Sequence, residues 1–105
     1  MTFSVYQYAN FVAAQLTTTA NTVVGTVPAS TQWIVKDITI TNSGGTSSAA
    51  YVILGSQVVL YGSGIVSNQT LHMTGLWVMG AAQQLEAWAS VANSLQLSIN
   101  GQTGN

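Results

Sequence analysis

From about residue 11 onward, apolar and polar positions alternate with a period of two, and Val, Ile, Thr, Tyr and Trp are abundant. Both features belong to half-buried β-strands. The pattern predicts strands over Phe11–Thr18, Asn21–Val27, Gln32–Thr41, Ala49–Leu54, Gln57–Tyr61, Gln69–Thr74, Leu76–Met79, Gln84–Val91 and Ser94–Gly101. Pro28 cannot donate to a ladder, so Val27-Pro28-Ala29-Ser30-Thr31 reads as a turn. The stretch from Asn42 to Ser48 reads as a loop, Gly55-Ser56 as a tight connection, and Gly62-Ser63-Gly64 as a break. Gly75, between two apolar stretches, marks a bulge or bend.

The last two strands show the alternation best. Leu85, Ala87 and Ala89 point one way, and Glu86, Trp88 and Ser90 the other. Leu95, Leu97 and Ile99 alternate in the same manner with Gln96, Ser98 and Asn100, which suggests a hairpin across Ala92-Asn93. One face is core and one is outward, as in an antiparallel sheet packed on one side. Leu71 and Met73, set against Thr70, His72 and Thr74, repeat the pattern.

The middle of the chain differs. Val52 and Leu54 are apolar on one side, but so are Tyr51 and Ile53 on the other, and Val58 to Tyr61 has no polar face. In the long strand, simple alternation puts Ile34, Ile38 and Ile40 on one side with Lys36, and Trp33 and Val35 on the other with Asp37. A sheet with two apolar faces must be covered twice, and in a chain this small the second cover is expected from another copy. The expected fold is all-β: a single antiparallel β-sandwich, jelly-roll-like, of about eight short strands over residues 11–105. An extended N-terminal arm is expected over residues 1–10, and Thr2 to Ala14 is the ambiguous stretch.

Composition sharpens this picture. The 105 residues are 48% apolar and only 3% charged, where an ordinary soluble domain is about a quarter charged. Lys36, Asp37, His72 and Glu86 are the whole supply, with no arginine and no cysteine. A monomer of this mass exposes roughly 5,600 Å², and a net charge of −1 gives it almost no protective field. Proteins near zero net charge tend to associate. A Thr/Gln/Asn-rich surface can stay soluble by bonding water, but burial in a homo-oligomer or larger particle is the favoured reading. No apolar run approaches the roughly 20 residues of a transmembrane helix. No Lys or Arg precedes Lys36, so a signal peptide is not expected, and Met1 fits a complete product made in the cytosol.

The same scarcity rules down most chemistry. A nucleophile–base pair needs His72 as base with Asp37 or Glu86 orienting it, yet His72 is an outward strand residue between Thr70 and Thr74. Asp37 and Glu86 are the only carboxyl pair for glycoside hydrolysis. A metal site wants three or four converging ligands, and the inventory barely reaches three. Gly44-Gly45 has neither the lysine nor the helix of a phosphate cradle. One lysine cannot neutralise a nucleic-acid backbone. The expectation is therefore no catalytic residues, no metal, no cofactor, no nucleic-acid partner and no membrane partner.

Aromatic residues remain. Trp77 suits the core, whereas Trp88 lies opposite Leu85, Ala87 and Ala89 and so points outward. An outward Trp is either an interface anchor or a platform for sugar stacking, and the interface is favoured. The candidate contact residues are Trp88, Trp33, Tyr51, Tyr61, Tyr6, Tyr8 and Lys36, with Tyr6 and Tyr8 on the arm. Lys36 is expected at a strand rim or paired with a neighbour's carboxylate.

The order of elements resembles a known group. The turn Val27–Thr31 leads into Trp33–Thr41 and ends in Thr41-Asn42. Then come Val66-Ser67-Asn68-Gln69-Thr70-Leu71, Leu85-Glu86-Ala87-Trp88-Ala89-Ser90 and a closing strand Leu95–Asn100. This resembles small β-sandwich structural proteins in the virions of tailed bacteriophages, of the minor structural, head-decoration or tail accessory type. The resemblance spans roughly residues 12–101. Those relatives often carry Ala-Gly-Asp before the Leu-Glu-Ala strand, where this chain has Gly80-Ala81-Ala82-Gln83-Gln84 and so an altered, longer turn. The resemblance implies a location in the virion after synthesis in the host cytoplasm. It also implies self-assembly, commonly as trimers, on other virion proteins such as a major capsid protein. A tail or fibre module that binds host-surface glycan through Trp88, Trp33 or Tyr61 is the second reading.

Overall fold

The computed structural model describes residues 6–104. Eight strands follow one another: β1 (Tyr6–Gln15), β2 (Val23–Thr26), β3 (Gln32–Asn42), β4 (Ser48–Leu54), β5 (Gln57–Ile65), β6 (Thr70–Met79), β7 (Gln84–Ala89) and β8 (Leu95–Gly104). They form two four-stranded sheets, β1-β8-β3-β6 and β2-β7-β4-β5, and every pairing is antiparallel. The chain is one long ribbon folded back at the β4–β5 hairpin, so that β3 meets β6, β2 meets β7 and β1 meets β8. Rolling the ribbon lays β8 on β3 and β7 on β4, which is the order of a jelly roll. The β4–β5 connection is two residues, with Gly55 at φ 63°. A left-handed glycine in first position is the type II′ form that suits strand twist.

The core lies between the sheets. Val35, Ile38, Ile40, Leu95, Leu97 and Ile99 from one sheet meet Ala50, Val52, Leu54, Leu85, Ala87 and Ala89 from the other, all fully or almost fully buried. Each fully buried Leu or Ile contributes about 1.5–3 kcal/mol relative to exposure. The alternation read in β7 and β8 is therefore real, but the two strands do not form a hairpin. They lie in opposite sheets, joined by residues 90–94, which cross from one to the other. Alternation reports which side of a strand is core, and both strands face the same core from opposite walls.

Bulges account for the other departures. Val35 pairs with Gly101 and Asp37 with Asn100, so Lys36 is the extra residue on β3. A bulge reverses the in–out assignment beyond it. Val35, Ile38 and Ile40 are consequently buried together, while Ile34, Asp37, Thr39 and Thr41 face out. Lys36 is exposed, and the expectation that it shares a side with three isoleucines is wrong. On β6 the register shifts at Gly75–Leu76, so the two strands expected there are one bulged strand. Strand β5 does not stop at Gly62: that residue sits at φ 82° as the extra residue between Tyr61 and Ser63, the glycine bulge geometry.

Strand β1 starts earlier than expected. Tyr6 to Asn10, assigned to the arm, pair with Gly104 to Asn100 of β8. The rest of that arm, residues 1–5, lies outside the described residues.

Asn42 ties one end of the sandwich together. Fully buried at the end of β3, its Nδ2 donates to the carbonyls of Thr46 and Ile65 at 2.9 and 2.8 Å. Its Oδ1 accepts from the Gly44 amide at 2.9 Å. Its own amide donates to the Gln69 carbonyl, and its carbonyl accepts from the Asn68 amide. One side chain thus satisfies polar groups from both the 43–47 and 65–69 connections, as buried backbone requires.

Candidate assembly surface

The two outer faces of the sandwich differ in chemistry. On the outer face of β2-β7-β4-β5, register sets Val23 beside Glu86, Glu86 beside Ile53, and Ile53 beside Val58. The next row is Trp88, Tyr51 and Tyr61. Trp88 and Tyr51 stack with centroids 4.8 Å apart and planes 2° apart. Tyr61 stands edge-on to both, at 5.1 Å from Tyr51 and 6.3 Å from Trp88. Tyr61 is 70% exposed and Val58 60%, while Tyr51, Ile53, Glu86 and Trp88 are half-buried. The only charge among them, Glu86, accepts from Asn21 Nδ2 at 3.0 Å.

Three of the aromatic candidates, Trp88, Tyr51 and Tyr61, are therefore brought into one cluster. The mutual stack covers one ring face of Trp88 and one of Tyr51. Trp33 does not join them. It stacks on Phe11 at 4.4 Å and 18°, lies over Gly25 and packs against the core. Trp77 also packs against the core.

The remaining candidates lie on the other sheet. Tyr8, 75% exposed, heads a row with Gln102, Ile34 and Val78. Exposed Leu76 and Lys36 adjoin that row at the paired bulges. Tyr6 Oη donates to Gln32 Oε1 at 2.7 Å. Simple alternation hides this second patch because it sets Ile34 on the same side as Ile38. The clue was there: two adjacent charges, Lys36-Asp37, fit neither side of an ideal strand.

The rest of that face is polar. Gln15–Gln96–Thr41–Thr70, Ala13–Ser98–Thr39–His72 and Asn10–Asn100–Asp37–Thr74 form successive rows. Asn10 Nδ2 donates to Asn100 Oδ1 at 2.6 Å, and Asn100 Nδ2 donates to Asp37 Oδ1 at 3.0 Å. A shallow trough of about 490 Å³, where Ala13 is small, is lined by Thr39, Thr41, Gln96 and Ser98. His72 and Asp37 share this face with a row offset, whereas Glu86 is on the opposite face of the sandwich. Among the described residues, no three of His, Cys, Asp and Glu gather, and no helix is long and apolar enough to cross a membrane.

No family model and no curated protein matches the chain, so the tailed-phage resemblance rests on its short motifs alone. Among solved structures, the chain is similar to one in a structure of infectious bursal disease virus, Gt strain. The two are 11% identical with a TM-score of 0.47, over 96% of this chain and 31% of the other. The chain thus spans about a third of that neighbour's length. A likeness this distant assigns neither family nor function.

Proposed function

We propose that this chain is a non-enzymatic structural subunit of a virion, of the capsid decoration or accessory type, acting through many copies rather than through chemistry. The observation that carries this reading is the outer face of β2-β7-β4-β5. Its rows hold Val23, Ile53, Val58, Tyr51, Trp88 and Tyr61, with one carboxylate already bonded to an amide. A free monomer would want charge there, and contiguous exposed apolar area marks an interface. Aromatic anchors in such a patch are the usual carriers of binding energy.

A fold alone does not give a function; the jelly roll hosts capsid, lectin and cupin domains alike. The surface narrows the choice. One lysine and no arginine disfavour nucleic acid, and His72, Asp37 and Glu86 do not converge. The phage resemblance supplies the virion location and the major capsid protein as partner. The test is sedimentation of the purified chain from micromolar to millimolar concentration, together with binding to particles assembled without it. Self-association and saturable particle binding are expected. A strict monomer with no affinity for particles overturns the reading.

A further inference from the structure

We infer that copies of this chain contact one another head-to-tail, the Lys36 patch of one against the Glu86 patch of the next. This rests on the self-assembly reading above and names its contact. The first patch, on the outer face of β1-β8-β3-β6, contains Tyr8, Ile34, Leu76 and Val78 around Lys36. The second, on the outer face of β2-β7-β4-β5, contains Val23, Ile53, Val58 and Tyr61 around Glu86. Each sets one charge, of opposite sign in the two patches, beside exposed apolar side chains. Lys36 is the chain's only basic side chain of the Lys and Arg types.

Charge complementarity selects the pairing. Two copies joined through the same Glu86 patch would bring two carboxylates together in apolar surroundings, and two Lys36 patches would do so with ammonium groups. Like charges across an interface are costly, whereas Lys36 against Glu86 brings opposite charges together, each beside apolar side chains of its own face. Asp37, next to Lys36, is turned into the neighbouring polar row by its bond to Asn100, and His72 lies one row further away. Neither competes at the apolar end of the face.

A standard interface takes about 800 Å² from each partner. Two such patches would cover roughly 1,600 Å² of the 5496 Å² exposed by the monomer. Because the patches lie on opposite faces, the contact is heterologous. Copies stack in a row that runs open or closes as a wide ring, not as the compact trimer that the phage resemblance implies.

Charge reversal tests the contact. Self-association of the full chain is measured by sedimentation velocity at low salt for wild type, Lys36→Glu, Glu86→Lys and the double variant. Each single reversal is expected to weaken association by about tenfold or more. The double variant, and an equimolar mixture of the two single variants, are expected to recover it. Single variants that associate like wild type, or a double variant no better than they are, overturn the inference. If wild type itself is monomeric throughout, the assembly reading falls with it, so the two failures are distinguishable.

A second measurement needs no variant. Zero-length carbodiimide cross-linking of wild type should give a Lys36–Glu86 isopeptide in the oligomer band. Two stacked sheets, about 10 Å apart before side chains are counted, separate these groups within one chain, so the link must be between copies. A cross-linked oligomer lacking that peptide also overturns the inference.

Discussion

Trp88 and Tyr51 lie opposite each other across β7 and β4, with ring planes 2° apart and centroids 4.8 Å apart. A stacked cross-strand pair of this kind is worth about 0.5–1.5 kcal/mol beyond its buried area. It therefore contributes to monomer stability as well as to the outer surface, while Tyr61, leaning on the pair from the edge strand, is mostly exposed.

That division of labour predicts different behaviour for two substitutions. Trp88→Ala should lower monomer stability by about 1–3 kcal/mol and weaken self-association together. Tyr61→Ser should change stability by less than about 0.5–1 kcal/mol while weakening association by about tenfold or more. Urea unfolding and sedimentation on the same samples separate the effects. Equal losses of stability in both variants would mean that Tyr61 is a structural residue rather than a contact.

Asn42 predicts a larger effect from a residue that touches no surface. Asn42→Ala would leave the Thr46 and Ile65 carbonyls and the Gly44 amide without their partner. An unsatisfied buried group costs about 1–3 kcal/mol, so the expected loss is about 3 kcal/mol, read as a fall in the urea midpoint. Asn42→Asp retains the acceptor but not the donor and should be nearly as damaging. A change below 1 kcal/mol by the same measure would show that water replaces the side chain.

How far the sequence could be read follows from what each residue reports. Alternation in Leu85–Ser90 and Leu95–Asn100 gave the core side of each strand correctly, because burial is a property of one strand and its period. It gave the wrong partner, since pairing between β7 and β4, or β8 and β3, is long-range and leaves no local mark. Lys36 shows the second limit. One extra residue inverts every assignment beyond it, so alternation sets Ile34 on the side of Ile38 and Ile40 when it faces the other way. Trp88 is legible as outward, and Tyr51 and Tyr61 as contact candidates, but their meeting in one row depends on the two bulges of β5 against β4. Asn42 was seen only as a strand end, because what it bonds comes from segments 4 and 23 residues away.

Ala82 offers a stabilising change. It occupies the left-handed region at φ 67°, in the 80–83 connection where its amide bonds the Val27 carbonyl. A Cβ in that region costs roughly 1–2 kcal/mol, and glycine removes the cost at the expense of a more flexible unfolded chain. Ala82→Gly should raise stability by about 0.5–1 kcal/mol, seen as a higher thermal midpoint with unchanged association. No gain would indicate that the connection relaxes to another conformation in solution.

Gly101 sets the opposite prediction, and it tests the bulge that exposes Lys36. A methyl group built on Gly101 overlaps the Ile34 carbonyl oxygen, far inside van der Waals contact, and crowds the Ile34 carbonyl carbon and the Lys36 amide as well. All three are backbone atoms of β3, so no side chain can rotate away to make room. Gly75 is the useful contrast, because there the nearest atoms the methyl meets belong to the Trp77 side chain rather than to backbone. Gly101→Ala must therefore push β8 from β3 at the centre of its sheet, and the expected loss is about 3 kcal/mol or more. Gly75→Ala, on the edge strand, should lose about 1 kcal/mol. If the two variants unfold at the same denaturant concentration, β3 and β8 do not approach as closely as this register requires. The outward placement of Ile34 and Lys36 would then need revision along with the surface they define.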